Sequence, residues 1–157
     1  MNKRVCTGFF LLATLTGCAN GISTGLAPDR IVAERGGFIP EGIEYDNNRN
    51  RFLVGSIADG TIYEVSNSGR LLPAITSPDL NASVGIEVDE TRDVLFVANS
   101  NTMSPNGAAE LGIFNLETGE QLAMVDLAAS IPNRPADSRH FANDVAVSAA
   151  GVAYVTD

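Results

Sequence analysis

Three stretches of the chain share one pattern of alternating hydrophobic and polar residues. The first, Pro40–Ser56, reads PEGIEYDNNRNRFLVGS, and its period of two predicts two strands joined by a polar turn. The second stretch starts at Val84 with VGIEVD and ends in VLFVANS, and the third starts at Asn143 with NDVAVS and ends in VAYVTD. The copies start 43 and then 59 residues apart. Repeats of this length are typical of radial β architectures.

Turn sequences divide the first unit into four strands. Asp46-Asn47-Asn48, Asp59-Gly60 and Asn67-Ser68-Gly69 are turn-forming residues between apolar runs. After the first strand, the pattern predicts three more, at Arg51–Ser56, Thr61–Ser66 and Leu71–Ile75. Four short antiparallel strands in sequence predict one blade of a β-propeller.

The expected fold is therefore all-β. A propeller needs roughly four to eight blades to close, and the units starting near positions 41, 84 and 143 supply about two and a half. Residues 31–157 are accordingly expected to be a partial β-propeller, the N-terminal part of a longer protein. Ile31–Glu34 is expected to be the outer strand of a blade formed elsewhere.

The second unit is longer than the first because of two insertions. Asn101–Glu110 replaces a tight turn, and Ala128–His140 is a stretch rich in Pro, Ala, Asn and Arg. Both fall between predicted strands. Lengthened loops on a regular scaffold often carry binding residues, although neutral insertion is the commoner cause.

The N-terminus has the features of a targeting signal. Two basic residues precede an apolar run, Val5–Leu15, which is too short to span a bilayer as a helix. The run ends in Leu15-Thr16-Gly17-Cys18, which resembles a bacterial lipobox. Residues 1–17 are thus a predicted lipoprotein signal peptide, Cys18 a lipidation site and residues 18–30 a flexible tether. An ordinary secretory signal with an incidental cysteine is the alternative.

Composition narrows the possible partners. The formal net charge is -9, and the only lysine, Lys3, lies within the signal segment. Such an acidic chain is not expected to bind nucleic acid, and it is expected to contact membrane only through the lipid anchor. The two cysteines, Cys6 and Cys18, leave no disulfide and no thiolate metal site in the mature domain. The expected location is the bacterial cell envelope, on the periplasmic or outward-facing side of a membrane.

Residues that differ between the copies are the candidates for function, because residues shared by all copies are explained by the fold. The first strands of propeller blades start at one mouth of the channel, and the equivalent residues there are Glu41, Val84 and Asn143. Carboxylate and carboxamide oxygens are ligands of hard cations such as Ca²⁺, whereas valine offers none. Acidic and Asx residues also cap backbone amides at turns, so this position alone does not establish a metal site.

The PEGIxYD opening and the NDVAVS…GVAYVTD close resemble the six-bladed propeller family that includes senescence marker protein, gluconolactonase and luciferin-regenerating enzyme. The resemblance extends over Pro40–Asp157. It implies a six-bladed propeller holding a divalent metal, often calcium, at one mouth of the channel. Matched by position, Glu41 is the first-blade metal ligand, and Asn143 is the third-blade asparagine near metal and substrate.

The catalytic residues are less clearly indicated. Some family members have an arginine two residues before the asparagine, where this chain has Phe141. Arg139 and His140 lie nearby but out of register. His140, the only histidine, is a candidate for proton transfer if it points into the mouth, and an exposed loop residue if it does not.

The resemblance therefore predicts a membrane-anchored, metal-dependent hydrolase of lactones or similar small esters, with a small-molecule substrate. The alternative is a non-catalytic propeller, similar to NHL-repeat scaffolds, that binds a partner through its loops. Fold alone does not decide between them.

Overall fold

The computed structural model describes residues 28–33, 36–105, 107–135 and 137–157. The predicted signal peptide, Cys18 and most of the predicted tether lie outside these ranges. The described part of the chain contains ten β-strands and one turn of 3-10 helix, Ala128–Ser130, but no α-helix. None of its helical segments is long and apolar enough to cross a membrane.

The strands form three antiparallel sheets in chain order, named here sheets I, II and III. Sheet I comprises β1 Pro40–Asp46, β2 Arg51–Ser56, β3 Ile62–Val65 and β4 Leu71–Ile75. Sheet II comprises β5 Ser83–Asp89, β6 Val94–Ser100, β7 Ala109–Asn115 and β8 Gln121–Asp126. Sheet III is the hairpin of β9 Asp144–Val147 and β10 Ala153–Thr156.

The predicted all-β class is confirmed, and all the sheets are antiparallel. Each four-stranded sheet is a simple meander in which neighbours in sequence are paired neighbours in space. The insertion Ala128–His140 falls between strands, as expected. The insertion Asn101–Glu110 does so only as far as residue 108, because Ala109 and Glu110 belong to β7. The strand expected at Ile31–Glu34 is not formed by residues 31–33, and Glu34 lies outside the described residues. The sheets lie side by side, and the described residues do not close a ring.

Consecutive sheets pack through their first strands, with β1 against β5 and β5 against β9. A bulge interrupts the pairing of β1 with β2 between Pro40 and Ile43, and an equivalent bulge occurs in β5 between Ser83 and Ile86. Each bulge contains a glycine. A Cβ on Gly42 would lie 2.5 Å from the carbonyl oxygen of Val84, so the next strand approaches as closely as it does only because a side chain is absent.

Gly85 plays the same part at the next junction. A Cβ there would lie 2.6 Å from both the Cα and Oδ1 of Asp144. The repeated Gly-Ile-Glu of the first two copies is therefore a packing signal as well as strand pattern. The third copy has Asp144 at the corresponding position, so its outer face does not offer the same backbone-to-backbone contact.

The main hydrophobic core lies between sheets I and II. It joins Leu53, Ile62 and Ile75 of sheet I to Ile86, Leu95, Val97 and Phe114 of sheet II. A smaller cluster joins Phe96 and Leu111 of sheet II to Val145 of sheet III. The outer faces lack this cover, since Ile43 on sheet I is 61% exposed and Tyr154 on sheet III is 63% exposed.

Candidate functional site

Two ends of the sheet array differ in chemistry. At the strand-start end, the first strand of each sheet begins and the second strand ends. At the hairpin end, turns join those two strands at residues 47–50, 90–93 and 148–152. The three sequence-predicted ring positions, Glu41, Val84 and Asn143, all lie at the strand-start end.

Glu41 lies in β1 and its side chain is exposed. It lines a cavity of about 420 Å³ between sheet I and residues that precede it, mainly 28–33, where Asp29 and Arg30 are the other charged residues. Among the described residues, no hydrogen bond or ion pair engages its carboxylate. Both oxygens of Glu41 are therefore uncommitted to this part of the fold.

Val84 is buried, and its backbone carbonyl lies at the contact with Gly42 of sheet I, so an apolar side chain suits this position. Asn143 instead precedes β9 and is exposed. Its backbone N–H donates to the carbonyl of Thr156 at 2.9 Å, but its carboxamide has no hydrogen bond within the described ranges. Of the three ring positions, the two with oxygen-bearing side chains are thus the two that the described residues leave free.

The structure places His140 away from solvent. Its side chain is 9% exposed, and Nδ1 is hydrogen-bonded to the Asp157 carboxylate. Nε2 is buried and has no partner among the described residues. In this arrangement the imidazole is not an exposed loop group, and Nε2 does not reach solvent as a free proton carrier. Arg139 is exposed, and no described residue forms a hydrogen bond or ion pair with its side chain.

Asp157 was not singled out by the sequence pattern, yet it organises this end of sheet III. Oδ1 accepts from the backbone N–H of Phe141 at 2.7 Å while Oδ2 bonds His140. Burial raises the pKa of Asp157, but the hydrogen bonds from His140 and Phe141 outweigh it and hold the pKa below its ordinary value. The carboxylate therefore stays ionised at neutral pH.

The two insertions of the second unit meet beside this group. Gly107, at φ +71°, packs on the backbone of His140, and a Cβ there would lie 2.3 Å from the His140 carbonyl oxygen. A cavity of about 340 Å³ lies next to this contact and is lined by side chains including Glu110, Asp126 and Arg134. Lengthened loops thus converge at the strand-start end, near Asn143.

The hairpin end is dominated by ion pairs that sequence reasoning did not find. Asp46 is fully buried and bonded to Arg49 at 3.2 Å and to Arg51 at 3.0 Å. Arg49 also reaches across to Asp93 of sheet II at 2.7 Å. The hydrogen bond from Arg49 lowers the pKa of Asp93 and, in return, raises that of Arg49.

The next junction repeats this arrangement in weaker form. Arg92 pairs with Asp89 at 2.6 Å and reaches the Ala149 carbonyl of sheet III at 3.4 Å. Burial alone would raise the pKa of Asp89, but its hydrogen bonds with Arg92 outweigh burial and lower the pKa below its ordinary value. The signal was present in the sequence, because Asp-x-x-Arg occurs at residues 46–49 and 89–92 at the same offset in both copies.

Carboxylates also gather along the first strands. Burial raises the pKa of Glu44, and the negative charges of Glu87, Asp144 and Glu90 raise it further. In the part of the chain that the structure describes, no group of three or more His, Cys, Asp or Glu side chains is placed to hold a metal ion. Any cation bound by Glu41 or Asn143 therefore needs additional oxygen ligands.

Comparisons with known proteins do not assign the chain to a family, since no family model, no curated protein and no solved structure matches it.

Proposed function

We propose that the protein is a lipid-anchored enzyme of the gluconolactonase-like class, a six-bladed β-propeller in its intact form, which hydrolyses lactones or similar small esters with the help of a divalent cation, Ca²⁺ by preference. The resemblance of the PEGIxYD and NDVAVS sequences supports the class. The observation that carries the proposal is that Glu41 and Asn143 lie at one end of the array with their side chains uncommitted among the described residues. At the hairpin end, by contrast, Asp46, Asp89 and Asp93 are paired with arginines.

The donor chemistry of these residues fits such a cation. Hard divalent ions take carboxylate and carboxamide oxygens, and the described residues use neither the Glu41 carboxylate nor the Asn143 carboxamide for hydrogen bonds of the fold. Residues of the intact protein beyond these two are expected to complete the ligand set.

When bound, the cation supplies Lewis acidity that stabilises negative charge developing on the carbonyl oxygen of the substrate. Glu41 and Asn143 would hold the cation through their side-chain oxygens. The insertions Asn101–Glu110 and Ala128–His140 border the same end, where they would limit access of water and shape a substrate pocket. Arg139 is exposed and is the candidate for contacting the substrate. His140 is not, because its side chain is bonded to Asp157 and is only 9% exposed.

The anchor is the second part of the proposal. Acyl chains on Cys18 would hold the domain at a membrane surface of the cell envelope without any transmembrane helix. Mass spectrometry of the protein purified from membranes is expected to find the mature N-terminus at an acylated Cys18. An unmodified Cys18 in that material would remove the anchor from the proposal.

Calcium binding tests the enzyme. Titration calorimetry on the intact protein is expected to show that it binds Ca²⁺. The affinity should fall by about tenfold or more in Glu41→Gln, because one charged ligand is lost. Lactone hydrolysis should fall in parallel. Glu117→Gln is the matched control, an exposed glutamate in the β7–β8 turn. Equal affinities in Glu41→Gln and in the control would show that Glu41 is not a ligand.

One observation favours a non-catalytic scaffold similar to NHL-repeat proteins. The sole histidine is buried with Nδ1 on Asp157, so the strand-start end presents no imidazole to solvent among its described residues. On that alternative, no lactone is hydrolysed by the wild-type protein, whether or not Ca²⁺ binds. Substrate turnover that disappears when Ca²⁺ is chelated would decide for the enzyme.

A further inference from the structure

The five residues before and at the start of β9 are held by hydrogen bonds at every position. His140 and Phe141 bond the two carboxylate oxygens of Asp157. The carbonyl of Ala142 accepts from Ser100 Oγ at 2.9 Å. The backbone N–H groups of Asn143 and Asp144 donate to the carbonyl and the hydroxyl of Thr156, at 2.9 and 3.0 Å.

Residues 140–144 and the groups that bond them form a hydrogen-bonded frame, and the side chain of Asn143 takes no part in it. It is exposed and makes no hydrogen bond with the described residues, although the backbone that carries it is fixed on both sides. A side chain that is free on a rigid backbone loses little further entropy when it takes a ligand. The frame therefore fixes the backbone that carries the carboxamide and leaves the carboxamide itself free of hydrogen bonds with the described residues.

Asp157 is the part of the frame that engages a side chain and a backbone amide together. Its two oxygens bond adjacent residues, so one carboxylate fixes both the His140 ring and the Phe141 peptide. Gly107 also packs on the backbone of His140, whose carbonyl oxygen occupies the space that a Cβ at position 107 would need. Removing the Asp157 charge would release the segment that ends at Asn143.

We propose that Asp157 is a positioning residue that fixes the geometry of Asn143 for its ligand, acting through His140 and Phe141. The inference rests on the proposed function, since it takes the ligand of Asn143 to be the divalent cation. Outer partners that orient ligating groups commonly account for a 10- to 100-fold difference in metal affinity. His140 then has an orienting role, with its Nδ1 on Asp157, and no role in proton transfer.

The test is Ca²⁺ affinity of the intact protein by calorimetry, with thermal unfolding measured in a chelator. Asp157→Asn keeps one acceptor oxygen for Phe141 but loses the charge, and we expect its affinity to fall about 10-fold or more. Asp126→Asn is the control, because Asp126 lies at the end of β8 and, like Asp157, accepts a hydrogen bond from a backbone amide, here Ala129 N–H at 3.0 Å. We expect the control to keep wild-type affinity.

Two further comparisons separate positioning from general loosening. Because Asp157 acts through Asn143, the double variant Asp157→Asn/Asn143→Ala should bind Ca²⁺ no more weakly than Asn143→Ala alone. His140→Asn, whose amide donates from near the position of Nδ1, should keep affinity within about threefold, whereas His140→Leu should weaken it as Asp157→Asn does. The His140 pair decides the question even if Asp157→Asn does not fold.

The outcomes are distinct. Loss of affinity in Asn143→Ala but not in Asp157→Asn or His140→Leu overturns the positioning role and leaves the proposed metal site standing. Additive losses in the double variant, or an equal loss in Asp126→Asn, also overturn it. Unchanged affinity in both Asn143→Ala and Glu41→Gln removes the proposed metal site itself, and the positioning role with it.

Discussion

The two ends of the sheet array use polar residues in opposite ways. At the hairpin end, the buried Asp46 and its partners Arg49 and Arg51 neutralise one another, and Arg49 bonds Asp93 of the next sheet. At the strand-start end, Glu41 and Asn143 have no side-chain partners among the described residues. Charges that serve the fold are paired, since a buried unpaired charge is costly. Oxygens left unpaired at an exposed position are available to a ligand.

This contrast teaches where to look for function in a repeated fold. The hairpin-end pairs recur at the same offset in two copies, as expected of parts that every junction needs. The equivalent residues at the strand-start end are Glu41, Val84 and Asn143, so no two copies share the same residue there. Repetition therefore marks scaffold. Where residues vary at equivalent positions, the copies with exposed polar side chains, Glu41 and Asn143, mark a candidate site.

The largest effect is expected at the glycine that lets sheets I and II meet. Gly42→Val places a side chain 2.5 Å from the Val84 carbonyl, so we expect the free energy of unfolding to fall by about 3 kcal/mol. Gly36→Ala is the control, because nothing lies within 4 Å of that position, and it should change stability by less than about 0.5 kcal/mol. Urea titration measures both, and similar values would mean that the junction is not close-packed.

Removing an arginine at the hairpin end should have the next largest effect. Arg49→Met leaves the buried Asp46 with one cationic partner and Asp93 with none among the described residues, and we expect a loss of about 2 kcal/mol. Arg92→Met should cost less, about 1 kcal/mol, because Arg92 is more exposed and reaches sheet III only through a carbonyl. The reverse order in urea titrations would contradict the assignment of Arg49 as the stronger link between sheets.

Acid should weaken the hairpin end by a smaller, graded amount. The folded-state pKa values of Asp93 and Asp89 lie below the ordinary value, so their stabilisation is complete above about pH 4 and is lost as pH falls through the folded pKa values. Melting temperatures measured from pH 7 to pH 3 should therefore fall in the acid range. Arg49→Met should flatten the Asp93 part of that fall.

Glu44 should change stability with pH in the opposite direction to Asp89 and Asp93. Its folded-state pKa is raised, so the folded protein takes up this proton at a higher pH than the unfolded chain does, and stability increases as pH falls through that range. Glu44→Gln should be at least as stable as the wild type at pH 7 and should lack the increase. A melting temperature lowered by Glu44→Gln at pH 7 would contradict the repulsion from Glu87 and Asp144.

Much of the fold could be predicted from the sequence because strand and turn signals are local. The alternation of Ile43 and Tyr45 with Glu44 and Asp46, followed by turn residues, predicts a hairpin without reference to the rest of the chain. The cross-sheet contacts could not be predicted in the same way. Asp157 lies 17 residues from His140 and Arg49 lies 44 residues from Asp93, and their meeting depends on how the sheets pack.

By itself, the sequence determined the strands, their antiparallel order and the positions at which copies differ, since these follow from a period of two and from turn chemistry. Tertiary structure alone decided which polar side chains are already used. In the folded chain His140 is hydrogen-bonded to Asp157, and Asp46 is buried and paired with arginines. Glu41 and Asn143 have no side-chain partners among the described residues. The physical reason is that hydrogen bonding and desolvation depend on neighbours brought together by packing, and no local pattern records those neighbours.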